Sequence, residues 1–409
     1  MQEDKLIPHL FRMEFRKIVA VLCKTFGMAH IETAEDIAGE TFLAAMETWP
    51  YKGIPENPTA WLYHVAKNKA KNHLQRHSLF QNKIVPAISK TSPVAGEETI
   101  DLSEQNITDS QLQMMFALCH PSISAEAQVG LSLRILCGFG IEEIADAFLS
   151  NKETINKRLF RAKETLRNAN IKIELPPSSE INQRLAAVLT TIYLLFNEGY
   201  YSVSNNQPLR KDLCFEAMRL CMMLTTNTLT HTPQVDALLA LMCFHASRFE
   251  ARTNKEGEMV LYEEQDEQLW DKELITEGAY FFHKSARGDK LSKYHLEAGI
   301  AYWHTIKEDT IEKWENILQL YNQLLQLQYS PVAALNRAYA ISKARSKKEA
   351  ITEAEKLKLE DNHLYHSLLG ELYKDVDHKK AMEHLRKAIS LAKSEADKNI
   401  LLKRLEKLK

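Results

Sequence analysis

Thr154, Lys157, Arg158 and Arg161 recur at i, i+3, i+4 and i+7, one face of a helix, with Lys152 just ahead of them. Lys and Arg so placed can neutralise phosphates or form paired hydrogen bonds to guanine, and Thr can reach a base edge. The other face, Ile155, Leu159, Ala162 and Leu166, is apolar and has to pack. A shorter apolar face, Ile141, Ile144, Ala145 and Phe148, precedes it, and Ser150-Asn151-Lys152-Glu153 reads as a capping box that starts the second helix at Ser150. A short helix, a tight turn and a longer helix with a basic outward face describe a helix-turn-helix DNA reader. They also describe an ordinary helical hairpin with a solvated charged face, so the decision falls to what lies N-terminal to the pair.

A second set of nucleic-acid residues lies upstream. Residues 59–77, TAWLYHVAKNKAKNHLQRH, place Trp61, Leu62, Val65, Ala66 and Leu74 for packing and leave Lys67, Lys69, Lys71 and Arg76 wet. No Asp or Glu occurs between Glu56 and Glu97, so this stretch is electropositive in a chain of near-balanced charge. Cations, an aromatic and an Asn on one helix suit single-stranded DNA, where rings stack on bases and cations hold phosphates. Trp61 alone reads better as a core residue; the four cations read as phosphate contacts. Ile54-Pro55-Glu56-Asn57-Pro58 is the stiff turn that leads in.

The helix before that turn is acidic. Thr33-Ala34-Glu35-Asp36 reads as its cap, Ile37, Thr41, Phe42, Ala45, Met46 and Trp49 as its apolar positions, and Pro50 as its end. Residues 5–26 form an amphipathic first helix, with Phe11, Phe15, Ile18, Val19 and Leu22 opposite Arg12, Arg16 and Lys17. Periodicity lapses from about Ser78 to Thr108, resumes at Leu112, Met115, Phe116 and Leu118, and continues in a helix from Ala125 to Leu136.

Composition narrows the classes. With 409 residues, 45% hydrophobic and 26% charged, the chain has ample material for several buried cores. A net charge of -2 argues against a protein that coats nucleic acid, but not against one basic face. Six cysteines without a C-x-x-C pair read as buried reduced thiols, so no metal site is expected. The 13 glycines form neither G-x-G-x-x-G nor G-x-x-x-x-G-K, and no nucleophile-and-base set stands out, so neither a cofactor nor an enzymatic activity is expected. Without a signal segment or a bilayer-length apolar run, the expected location is the cytoplasm, with no membrane partner.

In this order the residues resemble extracytoplasmic-function sigma factors, a bacterial class that keeps only the second and fourth sigma domains. The resemblance rests on AEDIAGETFLAAMETW, IPENPTAWLYHVAKNKAKNHLQRH, HPSISAEAQVGLSLRILCGFGIEEIADAFL and KETINKRLFRAKETLR, in sequence across residues 5 to 170. The wording of the first and third segments, with FNEGY at 196–200, is similar to the subgroup that carries a long TPR-like C-terminal extension. It implies an all-α chain: sigma domain 2 at 1–78, a linker at 79–108, sigma domain 4 at 109–170, a second linker at 171–179, and a helical regulatory extension at 180–409. The implied partners are core RNA polymerase, promoter DNA and a regulatory contact, within the chain or with another protein. Glu35, Asp36, Glu40, Thr41 and Phe42 correspond to the part that docks on the β′ clamp helices, where carboxylates meet basic residues. Asn57 and Trp61 fall near the flipped base of the −10 element, and Lys67, Lys69, Lys71, Asn72 and Arg76 near its strand. Lys152, Thr154, Lys157, Arg158 and Arg161 match the −35 reader. Leu149 stands where many helix-turn-helix motifs place Gly, which costs energy only if φ must be positive. A reading from another class is a helix-turn-helix regulator with a TPR-like sensor domain, which has no need of segment 32–77.

The C-terminal two hundred residues read as helical throughout. Leu369-Gly370 and Tyr373, followed by Ala381, Leu385 and Ala388, are TPR-like in placing small residues where helix pairs stack; 331–343 and 347–357 fit the scheme more loosely. Asn197-Glu198-Gly199 reads as a helix end with Gly as the left-handed cap. The carboxylate-rich stretch 250–277 reads as solvated, and His245, Arg248 and Arg252 share a helix face from which they would pair with it.

Overall fold

The computed structural model describes residues 3–84, 100–148, 150–200, 210–252, 254, 260–288, 290–392 and 395–408. Residues 85–99, half of the expected first linker, and Leu149 lie outside them. The chain is 76% helical with no strand among the described residues, so the all-α expectation holds. It divides into two compact units, Met1–Leu194 and Leu195–Lys409.

The first unit holds α1 (Glu3–Phe26), α2 (Ile31–Lys52), α3 (Pro58–Ile84), α4 (Glu104–Leu118), α5 (Ala125–Leu131), α6 (Ile141–Ala147), α7 (Lys152–Asn168) and the first part of α8 (Ile181–Tyr200). Ser132–Leu136 extends α5 as a π-helical turn. The caps are local chemistry: Ser103, Ser124 and Asn151 each accept a hydrogen bond from the backbone N–H three residues on. The cap of α7 is therefore Asn151, one residue beyond the expected Ser150. At α2 the expected cap residues Thr33 to Asp36 lie inside the helix, and Pro50 does not end it; the chain turns at Gly53, where φ is 81°.

Around α1 the packing departs from an amphipathic pattern. Every residue from Ile18 to Cys23 is buried, and so is Arg16, because α2 and α3 cover one side of α1 while α4 and the π-helical turn cover the other. Each such aliphatic side chain contributes about 1.5–3 kcal/mol. A face expected to be wet is thus a second packing face, and α1 joins the two helical groups of this unit. At its C-terminal side α8 also belongs here, since Arg184 donates to the Phe116 carbonyl (2.6 Å) and Thr191 to Gln128 Oε1 (2.9 Å).

In the second unit follow α9 (Lys211–Thr225), α10 (Pro233–Ala246), α11 (Lys272–Ser285), α12 (Lys293–Trp303) and α13 (Ile311–Leu327). Then come α14 (Pro331–Ala344), α15 (Lys347–Glu355), α16 (His363–Tyr373), α17 (His378–Leu391) and α18 (Glu395–Glu406). Residues 235–244 of α10 are all buried, since α9, α11 and α12 surround it. From α13 onward each helix packs on the next, and Leu369, Tyr373, Ala381, Leu385 and Ala388 share one core. Gly370 permits the closest of these approaches: a Cβ there would stand 2.8 Å from Leu385 Cγ.

Gly199 is not a left-handed cap. The helix continues to Tyr200, and the glycine serves proximity, because a Cβ on it would lie 2.7 Å from both the Arg210 carbonyl oxygen and Cys214 Sγ. Backbone cannot move aside as a flexible side chain can. Gly199→Ala should therefore cost about 1–3 kcal/mol in urea unfolding despite alanine's better helix propensity; equal or greater stability would contradict the contact.

Candidate nucleic-acid and polymerase interface

The basic face of α7 forms as the spacing implies. Lys152, Thr154, Lys157 and Arg161 are exposed, Arg158 is half-buried over the Phe148 ring, and Ile155, Leu159, Ala162 and Leu166 are buried. Thr154, Lys157, Arg158 and Arg161 line an open groove of ≈ 470 Å³ together with Ser122, Ser124 and Thr165. Thr165 extends the 154, 158, 161 series by one turn and was there to be read; the two serines arrive from the start of α5 only through the fold. Lys152 stands outside the groove, 2.6 Å from Glu142, and Lys157 pairs with Glu153 at 2.6 Å. The Lys152 hydrogen bond and charge hold the Glu142 carboxyl below its ordinary range. Both pairs are solvent-exposed, worth ~0–1 kcal/mol, so a phosphate can replace the carboxylate at small cost.

On α3, Lys67, Lys71, Asn72 and Arg76 are exposed. Lys69 is not free: its ammonium is 2.8 Å from Glu40 on α2. Asn57 caps α3, its side-chain oxygen accepting from the Ala60 N–H (2.9 Å). Trp61 is half-buried, edge-on to Trp49 with ring centroids 5.4 Å apart, which is the packing role expected of it alone.

On α2 the expected docking set separates. Asp36 and Glu40 face solvent, whereas Thr41 and Phe42 are core: the Thr41 hydroxyl donates to the Ile37 carbonyl (2.8 Å) and Phe42 meets Phe11 at 5.0 Å. Thr41 and Phe42 therefore support the exposed face of α2 from behind. Tyr51 in the last turn of this helix is exposed, and so are Leu43 and Met46, the latter expected to pack. With Asp36, Glu40 and Glu47 they make a mixed acidic and apolar stripe.

Glu35 has a different fate. Its carboxylate accepts from Lys163 of α7 at 2.5 Å and from Arg134 of the π-helical turn at 2.9 Å, and its side chain is only 11% exposed. Arg134 is fixed in turn by the Phe139 carbonyl (3.2 Å) and the Phe15 ring. One turn earlier, Glu32 meets Arg167 at 2.5 Å. The inward edge of α2 is thus neutralised by cations from the far end of α7 and from the π-helical turn, while the other cations of α7 stay outward. Charges so enclosed interact more strongly than surface pairs, and removing one partner strands the other.

Comparison with known proteins follows this geometry. Residues 10–79, which contain α2, the turn and most of α1 and α3, match sigma-70 region 2. Residues 184–286 match a family of unknown function (DUF6596). An uncharacterized protein of Rhizobium meliloti (strain 1021) is 33% identical over 387 residues, covering 93% of this chain and 90% of that one. No solved structure matches. Region 2 defines the class, a sigma-70 family factor, which acts in transcription initiation with core RNA polymerase. Within that class the chain belongs to one family with the Rhizobium protein. No helix among the described residues is long and apolar enough to cross a membrane.

The burial contrast has a measurable consequence. Arg134→Ala leaves the enclosed Glu35 carboxylate with Lys163 as its one remaining counter-charge and should lower the stability of the first unit by about 1.5–3 kcal/mol in urea unfolding. Lys152→Ala and Lys157→Ala, each at an exposed pair, should stay within about 0.5 kcal/mol of wild type. Equal effects would contradict the distinction.

Proposed function

We propose that the chain is a sigma factor of the extracytoplasmic-function type, which brings core RNA polymerase to a promoter and grips it at two places. Lys67, Lys69, Lys71, Asn72 and Arg76 of α3 hold the −10 strand, with Asn57 and Trp61 at the entrance. The groove of α7, with Lys157, Arg158, Arg161 and Thr154, and Lys152 at its edge, reads the −35 element as a helix-turn-helix. The stripe Asp36, Glu40, Leu43, Met46 and Glu47, joined by Glu35 once released, docks on the β′ clamp helices. Residues 1–78 act as sigma domain 2, 109–170 as sigma domain 4, and 180–409 as a TPR-like regulatory extension, all working in the cytoplasm. The match of residues 10–79 to sigma-70 region 2 is the observation that carries this reading.

The ion pairs add a step. Docking through Glu35 competes with Lys163 and Arg134, so the chain rests closed, and polymerase opens it. Charge also sets register and association rate at such an interface. Asp36→Lys combined with Glu47→Lys should weaken binding to core polymerase by about tenfold or more and abolish promoter-directed run-off transcription. Lys163→Ala with Arg167→Ala should tighten that binding. Undiminished polymerase binding by the charge-reversed chain would overturn the docking assignment. A chain that ignores polymerase yet binds duplex promoter DNA by itself would favour the regulator with a sensor domain.

A further inference from the structure

Where α10 ends, two arginines turn inward with no counter-charge among the described residues. Arg248 is 7% and Arg252 9% exposed, and the Nε of each is buried without a hydrogen-bond partner. Among the described residues neither makes an ion pair, so the expected pairing with the acidic stretch 250–277 does not form there. Each lies instead over a ring: Arg252 is 3.9 Å from the Tyr200 centroid and Arg248 5.3 Å from that of Tyr262.

Two imidazoles complete the cluster. His245 sits against Tyr200 (4.5 Å) and His304 against Tyr262 (5.1 Å), and the Nδ1 of each is buried without a partner. Burial, reinforced by the charge of Arg248, pulls both far below the ordinary histidine range, so they stand neutral, able to donate or accept. Lys313 adds another buried cation, already satisfied by the Tyr262 hydroxyl (2.9 Å) and the Ile306 carbonyl (2.5 Å).

Three nearby carboxylates are committed elsewhere. Glu263 is held by Tyr339 and Lys343, Asp309 by Lys343 and Trp314, and Asp212 by Arg210. Unpaired buried charges are costly, and two guanidiniums that both act on His245, with two unsatisfied imidazole nitrogens, fit a site awaiting negative charge better than a packing core. The planar guanidinium fork matches the oxygen spacing of a carboxylate or phosphate, and ring faces beneath it keep the fork oriented.

We propose that Arg248, Arg252, His245 and His304 form a binding site for a small oxyanion, a phosphate or carboxylate group, the first three of them in the segment that matches the family of unknown function. The ligand supplies the charge that the fold omits, so its binding tightens the second unit. The site uses none of the groups assigned to DNA or polymerase and stands or falls independently of that assignment.

Thermal unfolding of the full chain, titrated with inorganic phosphate or with succinate against chloride at matched ionic strength, tests it. One of the two anions should raise the unfolding midpoint saturably where chloride does not, and the effective one identifies the chemistry. Arg248→Met and Arg252→Met should each abolish that shift. Their anion-free midpoint should equal or exceed that of wild type, since each removes an uncompensated charge. Wild type that responds to both anions only as to chloride overturns the site, as does an undiminished shift in both variants.

Discussion

The carboxylate of Glu35 has to be neutralised wherever it is enclosed, and in this fold the neutralising charges come from residues about a hundred and more positions away. Lys163 and Arg134 converge on it, and Arg167 repeats the arrangement at Glu32. Much follows from this constraint. With α1 buried between the two helical groups, the ion pairs set how α2 meets α7, and so which cations of α7 remain outward. Thr154, Lys157, Arg158 and Arg161 line the groove because the stripe two turns further along, Lys163 and Arg167, is spent internally. One helix divides its cations between holding the molecule together and lining an outward groove.

Near-zero net charge fits that division. Lys69 answers Glu40, Lys152 answers Glu142 and Lys157 answers Glu153, so basic surfaces meant for phosphates carry their own acidic placeholders. Exposed pairs of this kind hold loosely, about 0–1 kcal/mol each, and exchange readily. The enclosed pairs at Glu35 do not. On the proposed function, a molecule built this way would keep its DNA contacts available while gating the contact that commits it to polymerase.

Local patterns carried most of the helices into view from the amino-acid order alone. The two faces of α7, the stiff turn before α3 and the acid-free stretch after it all survive in the structure. What failed to show were decisions made by distant partners. Arg16 looked wet because nothing nearby in sequence announces that its face of α1 is covered; Met46 looked buried because a helical period cannot tell which of two apolar faces meets the core, while Thr41 and Phe42, given a docking role by the resemblance, are core as their apolar period implies. Gly199 carried a cap signature, yet close approach of the Arg210 carbonyl is what requires it. Arg248 and Arg252 sat beside a run of carboxylates and pair with none of those described. Proximity along the chain is a weak guide to ion pairing, which depends on geometry set by the core.

The claim that binds these parts together is that the resting chain is closed and that polymerase opens it. A label pair on α3 at Asn68 and on α7 at Glu164, both exposed, reports the separation directly by pulsed dipolar spectroscopy. The account expects one short separation in the free chain and a distinctly longer one when core polymerase is bound. A separation that polymerase leaves unchanged, or one already long in the free chain, would contradict it.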